Sequence, residues 1–207
     1  MGASSLDVIT VLPYTHYDTD REVTSQMNFS HYGEGPTELA IDLVNTQEMN
    51  ADKIGDLDGL KEFLTRHEEL GTADLNPVSD SDLDEIHSLR NSLREVIEAP
   101  DPTTAAELVN GILARHSATA RVSVHSGEPH LHFEPVGSSV SAWVGAISAM
   151  GLAGVIVEHG VDRFGVCNAT NCKDVFVDTT RNRSRLHCCG TCSTREAVAA
   201  YRKRQAE

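Results

Sequence analysis

Five cysteines stand in the last 41 residues of this 207-residue chain, at Cys167, Cys172, Cys188, Cys189 and Cys192, and the 166 residues before them hold none. Cysteine used as a small core hydrophobe is not confined in this way. Four of the five form two close pairs, Cys167-x4-Cys172 and Cys188-x3-Cys192, with fifteen residues between the pairs. Each pair grips from one turn, and a loop that brings the pairs together builds a tetrahedron of thiolates. Zn²⁺ suits four sulfurs, being d¹⁰ and redox-silent. The intervening residues 173–187 are rich in Arg and Asn and offer a core little beyond Val175, Phe176, Val177 and Leu186. The expectation is a segment that burial alone does not fold, ordered by metal binding on the order of 10 kcal/mol.

Other chemistries for these thiols fit less well. Disulfides belong to oxidising compartments, and Met1–Asp7 lacks the basic and apolar stretches of a secretion leader. An iron–sulfur cluster also takes four thiolates, but the spacing matches neither ferredoxin pattern. His187 and Cys189 adjoin Cys188 and are alternative ligands; otherwise Cys189 is a spare thiol. A closed four-sulfur site is structural, with no open position for catalysis.

The upstream chain has a different grammar. Residues 1–28 read as a polar lead segment with a short strand at Val8–Leu12 and a cluster of Tyr14, His16, Tyr17, His31 and Tyr32 around its end. Pro36-Thr37-Glu38 opens a helix whose Leu39, Ala40, Leu43 and Val44 form an apolar stripe. A second helix follows Asp56 with Leu57, Leu60, Phe63 and Leu64, and Gly71 ends it. Ser79 to Asp82 caps a third, carrying Leu83, Ile86, Leu89, Leu93, Val96 and Ile97; Pro100-Asp101-Pro102 breaks it and Thr103-Thr104 caps a fourth. The period then drops to two over Ala120–His125 and Leu131–Glu134, a β-hairpin turning at Gly127-Glu128-Pro129. Val140–His159 is the most apolar helix, too interrupted by glycine for a membrane span and central to the core. The expected fold is α+β: a predominantly α-helical N-terminal domain with a β-hairpin over residues 29–160, then a small four-cysteine zinc-finger domain over 161–207.

Charge follows the same division. The chain carries a net −14, yet Arg163–Arg204 holds nine basic residues against three acidic ones, leaving −20 on the remainder. A basic tail on an acidic body binds phosphate or docks on its own body. The run Cys167–Arg185, with its core Phe176-x-Asp178-x-x-Arg181-Asn182-Arg183-Ser184-Arg185, followed by Cys188, Cys192 and Tyr201–Arg204, resembles the CGNR zinc finger. Upstream, Glu38–Thr46 resembles the opening helix of the ABATE domain that accompanies this finger. Here Cys192-Ser193-Thr194-Arg195 stands where the family's namesake Cys-Gly-Asn-Arg would be. The resemblance implies a stress-induced bacterial transcription regulator, in the cytoplasm, that binds DNA through the finger.

The expected metal ligands are Cys167, Cys172, Cys188 and Cys192, holding Zn²⁺. The expected phosphate contacts are Arg181, Arg183 and Arg185, alternating along one side of a loop, and Arg195, Arg202, Lys203 and Arg204 on a terminal helix. The competing reading has these arginines bracing Asp174, Asp178 and the thiolates. Asp42, Asn45, His130 and His132 are candidates for an effector pocket between the first helix and the hairpin, with His125 opposite. No Ser–His–Asp set, phosphate-binding Gly loop or His-Glu-x-x-His occurs, so no catalytic residue is assigned. The partners expected are DNA, a small-molecule effector and a second copy of the chain, with no membrane. The alternative is an N-terminal domain that is a small-molecule enzyme or cofactor-binding module, its finger purely structural or protein-docking.

Overall fold

Ser79 shows how local chemistry sets the helix ends: its hydroxyl accepts from the Asp82 amide while the Asp82 carboxylate accepts from the Ser79 amide, a reciprocal capping box. The computed structural model describes residues 34–70, 77–116, 118–123, 130–134 and 139–206. The lead-segment strand, the Tyr–His cluster, the Gly71 stop, His125 and the hairpin turn lie outside the described residues.

Helix α1 runs Glu34–Val44, α2 Leu57–Arg66, α3 Asp80–Ile97 and α4 Pro102–Arg115. Strands β1 (Thr119–Ser123) and β2 (His130–Glu134) pair antiparallel with Val122 opposite Leu131. Helix α5 spans Val140–His159. Two three-residue strands follow, β3 (Phe164–Val166) and β4 (Val175–Val177), paired antiparallel with Gly165 opposite Phe176, and α6 closes the description at Gly190–Ala206. The chain is therefore mostly helical, with the expected hairpin and a C-terminal cysteine cluster.

One helix start differs from expectation. Asp101, not Thr103-Thr104, caps α4, its carboxylate accepting from the amides of Thr103 and Thr104. Pro102 then sits at the first helical position, where its missing N–H costs nothing.

The core gathers the predicted stripes. Leu39, Ala40, Leu43 and Val44 of α1, Leu60 and Phe63 of α2, Ile86, Leu93 and Val96 of α3, and Leu152 of α5 are all fully shielded. Helix α5 packs against α1, α3 and α4, which is why it is apolar all round. It is the helix among the described residues long and apolar enough to cross a membrane, and much of it is buried within the protein. Gly151 lets α1 come close: a Cβ there would lie 2.5 Å from the Pro36 carbonyl carbon and the Thr37 nitrogen. Thr37 Oγ1 donates to the Gly151 carbonyl at 3.1 Å across that approach.

Between α1 and α2 the chain is tied by a buried guanidinium. Arg90 donates to both carboxylate oxygens of Asp52 at 2.7 Å and to Thr46 Oγ1 at 3.0 Å. The Arg90 hydrogen bonds, working against partial burial, hold the Asp52 carboxyl below its usual range.

Candidate metal centre and nucleic-acid interface

The Cys167–Cys172 turn is closed by Asn171, at φ 61°, a left-handed conformation that Asn tolerates. Cys172 N–H returns to the Ala169 carbonyl at 3.1 Å. Cys188 precedes α6, and Cys192 lies in its first turn. Together these place the sulfurs of Cys167, Cys172, Cys188 and Cys192 all within 4.8 Å of one another. The Cys188 sulfur is 3.7 Å from that of Cys172 and from that of Cys192. Four sulfurs at the usual Zn–S distance of about 2.3 Å, set tetrahedrally, lie about 3.8 Å apart. The donor set thus fits a tetrahedral metal. The thiols differ without a metal: burial and the Asp174 carboxylate, 3.3 Å from Cys188 Sγ, push the Cys188 thiol up, burial pushes Cys192 up to about 12, and at Cys167 burial is outweighed by hydrogen bonds that lower the thiol. A bound dication removes that penalty. Cys189 is exposed beside the cluster.

Asp178 organises the arginine loop. Buried at 4% exposure, it accepts from the Thr180 amide (2.7 Å) and hydroxyl (2.6 Å) and from the Arg185 amide (2.8 Å). Burial raises its carboxyl, but these hydrogen bonds and the Arg163 charge prevail and hold it below the ordinary value. The segment carrying Arg181, Arg183 and Arg185 is a loop turned on Asp178, not an extended run, with Arg183 at φ 51°. A turn has no period of two to set the three arginines on one side.

They also divide in role. Arg185 stacks its guanidinium 4.8 Å above the Phe176 ring and donates to the carbonyls of His187 (2.9 Å), Val177 (3.2 Å) and Cys188. Arg195 donates to the Thr170 carbonyl at 2.9 Å and approaches Cys192 Sγ at 3.6 Å. Its neighbour Glu196 accepts from the Thr170 amide at 2.7 Å, so α6 grips the first cysteine turn from both sides. Arg183 pairs with Asp162. Arg181, Arg202, Lys203 and Arg204 are exposed and make no ion pair among the described residues. Arg163, which sequence reasoning passed over, donates to the carbonyls of Asp178 (3.1 Å) and Thr180 (2.6 Å).

Of the four core candidates in the finger's loop, Leu186 is exposed and the other three are not. Val175, Phe176 and Val177 are all buried, and Val175 joins the main hydrophobic core with Phe164 packed against it. Asn45, expected to line an effector pocket, instead joins body to finger. Its Nδ2 donates to the Val175 carbonyl at 2.9 Å, and its Oδ1 accepts from the Val175 amide at 2.7 Å, as a neighbouring strand would. Asp42 faces His67 at 3.4 Å, and His130 and His132 lie in β2 opposite Ser123 and Arg121. Neither Asp42 nor Asn45 lines the cleft of about 1010 Å³ between α1, α3 and β3.

Residues 37–159 match the ABATE family, described as "putative stress-induced transcription regulator", and residues 163–205 match the CGNR zinc finger. No curated protein matches the chain.

Proposed function

The chain belongs to the ABATE family, and on that premise we propose that it is a transcription regulator that binds DNA through its C-terminal finger and senses an effector, or dimerises, through its helical body. Cys167, Cys172, Cys188 and Cys192 hold Zn²⁺, which supplies the ordering energy of the finger and takes no part in chemistry. The observation that carries the reading is the division among the cations. Arg185 and Arg195 brace the cysteine turns, while Arg181, Arg202, Lys203 and Arg204 stand in solvent without an acidic partner among the described residues. On a chain of net −14, exposed cations with no acidic partner among the described residues are suited to phosphate.

The test is a salt titration of the zinc-loaded protein on duplex DNA. Each phosphate neutralised contributes about −0.9 to the slope of log K against log salt. Replacing Arg202, Lys203 and Arg204 together by Ala is expected to weaken binding and flatten the slope by about 3, with zinc content unchanged. No binding at low salt, or a slope the triple variant does not alter, overturns the reading. A second reading, a finger that docks a protein, is favoured by Val198 and Tyr201, 42% and 57% exposed on α6. Capture of a protein partner without DNA affinity selects it.

A further inference from the structure

A cleft of about 1010 Å³ opens at the seam where the chain leaving α1, the end of α3 and β3 of the finger meet. Its volume is that of a generous small-molecule site. One wall is apolar: Ile97 from α3, Phe164 and Val166 from β3, and Met49 from the α1–α2 connection. Val166 and Met49 are 42% and 49% exposed, large apolar side chains left open to solvent at the cleft.

The charges lining it do not cancel. Glu48 pairs with Lys53 at 2.8 Å, Glu98 with Arg94 at 3.0 Å, and Asp162 with Arg183. Every carboxylate lining the cleft is thus matched, while Lys173 is exposed and makes no ion pair among the described residues. Arg94 is held in the cleft wall by the Lys173 carbonyl at 3.1 Å and the Val44 carbonyl at 3.4 Å. Glu98 takes only its Nη1, and among the described residues Nη2 makes no contact but the long one to Val44, so Nη2 can receive an anion with the Glu98 pair kept.

We propose that this cleft binds a small amphipathic organic anion, its carboxylate at Lys173 and Arg94 and its hydrocarbon body against Ile97, Phe164, Val166 and Met49. The inference rests on the regulator reading for its consequence and gives the effector half of that reading a place and a chemical class. The place matters because Arg94 already joins the body to the finger, and Lys173 directly follows the metal-ligand position Cys172. An anion that draws on both acts on the orientation of the finger, and so on the cationic face of α6.

The experiment titrates 4-phenylbutyrate and its uncharged analogue 4-phenylbutan-1-ol into the zinc-loaded full chain, read by calorimetry and by melting temperature. The acid is expected to bind and raise the melting temperature, and the alcohol to bind about tenfold more weakly or worse. Lys173→Gln is expected to weaken the acid about tenfold and leave the alcohol unchanged. Val166→Asp is expected to abolish both while the zinc content of the free protein stays as it was. Lys61→Gln, on α2 away from the cleft, changes nothing. No binding of the acid at millimolar concentration, equal binding of acid and alcohol, or acid binding that survives both Lys173→Gln and Val166→Asp overturns the proposal. DNA affinity is measured on the same samples. Acid binding without DNA affinity removes the regulator reading and leaves the cleft; DNA affinity without acid binding does the reverse.

Discussion

Leu43, Leu60, Phe63, Leu93 and Leu152 are shielded from solvent in the helical body, whereas the finger's own cluster consists of Cys167, Ala169 and Cys192 with Cys172 and Cys188 against it. One region has a core drawn from five helices. The other has a ring of thiols, three strand residues and a set of arginine-to-carbonyl bonds. The finger's strand β4 leans on the body through Val175 and Asn45, while the cysteine turns and α6 lean on each other. Burial and the four-cysteine site therefore divide the work within one chain, and the dividing line runs through the finger itself, between β4 and the cysteines.

That division predicts its largest effect on metal removal. Stripping the zinc, or Cys192→Ser, is expected to remove ordering on the order of 10 kcal/mol from the cysteine turns and α6. The amide-exchange protection of α3 and α5 should survive. Uniform loss of protection across the body would show instead that the two regions fold as one unit. The converse substitution is Phe63→Ala, expected to destabilise the body by about 3–5 kcal/mol. The cysteines should still hold one zinc per chain below the melting transition, which metal analysis of the purified variant checks.

The parts legible in the sequence are those fixed by short-range chemistry. The stripes of α1 to α3 were visible because burial follows the helical period, and the cysteine ring was visible because ligand spacing is local. Strands β3 and β4 were not visible: Val175-Phe176-Val177 is three residues long and buried on both sides, so it has no alternation to read. The fate of Asn45 was equally hidden. Its partner is 130 residues away, and its position near the end of α1 reads as an ordinary helix exit. The bracing contacts of Arg185 were hidden for a related reason: its stacking on Phe176 depends on the turn wound by Asp178, which no period predicts. The long motif around it is specific because it builds that turn.

Asn45→Ala tests the seam directly. It leaves the Val175 amide and carbonyl without the partners they have at 2.7 and 2.9 Å, a loss of about 1–3 kcal/mol. The comparison sharpens if that loss appears as faster exchange at Val175 with α6 still protected and zinc still bound. It breaks if zinc affinity falls in step, since the cysteine turns would then depend on the body after all.

The smallest effect is one of pH, and it belongs to the finger's loop. The Asp178 carboxyl lies below its unfolded value of 3.8 because Thr180, Arg185 and Arg163 favour its charged form more than burial opposes it. A depressed carboxylate contributes stability that is complete above the unfolded value and is lost as pH falls through the folded one. Below about pH 4 the unfolded loop takes up a proton that the folded loop refuses, so acid pulls the arginine turn open. Asp178→Asn keeps the shape and one acceptor oxygen but removes the charge. The variant is expected to be less stable at neutral pH and to lose part of the acid dependence that the wild-type finger shows below about pH 4, with the body's acid dependence unaltered. Identical acid profiles in the two proteins, followed through the amides of Thr180 and Arg185, would mean that the turn is held by Arg185 on Phe176 and not by the buried carboxylate.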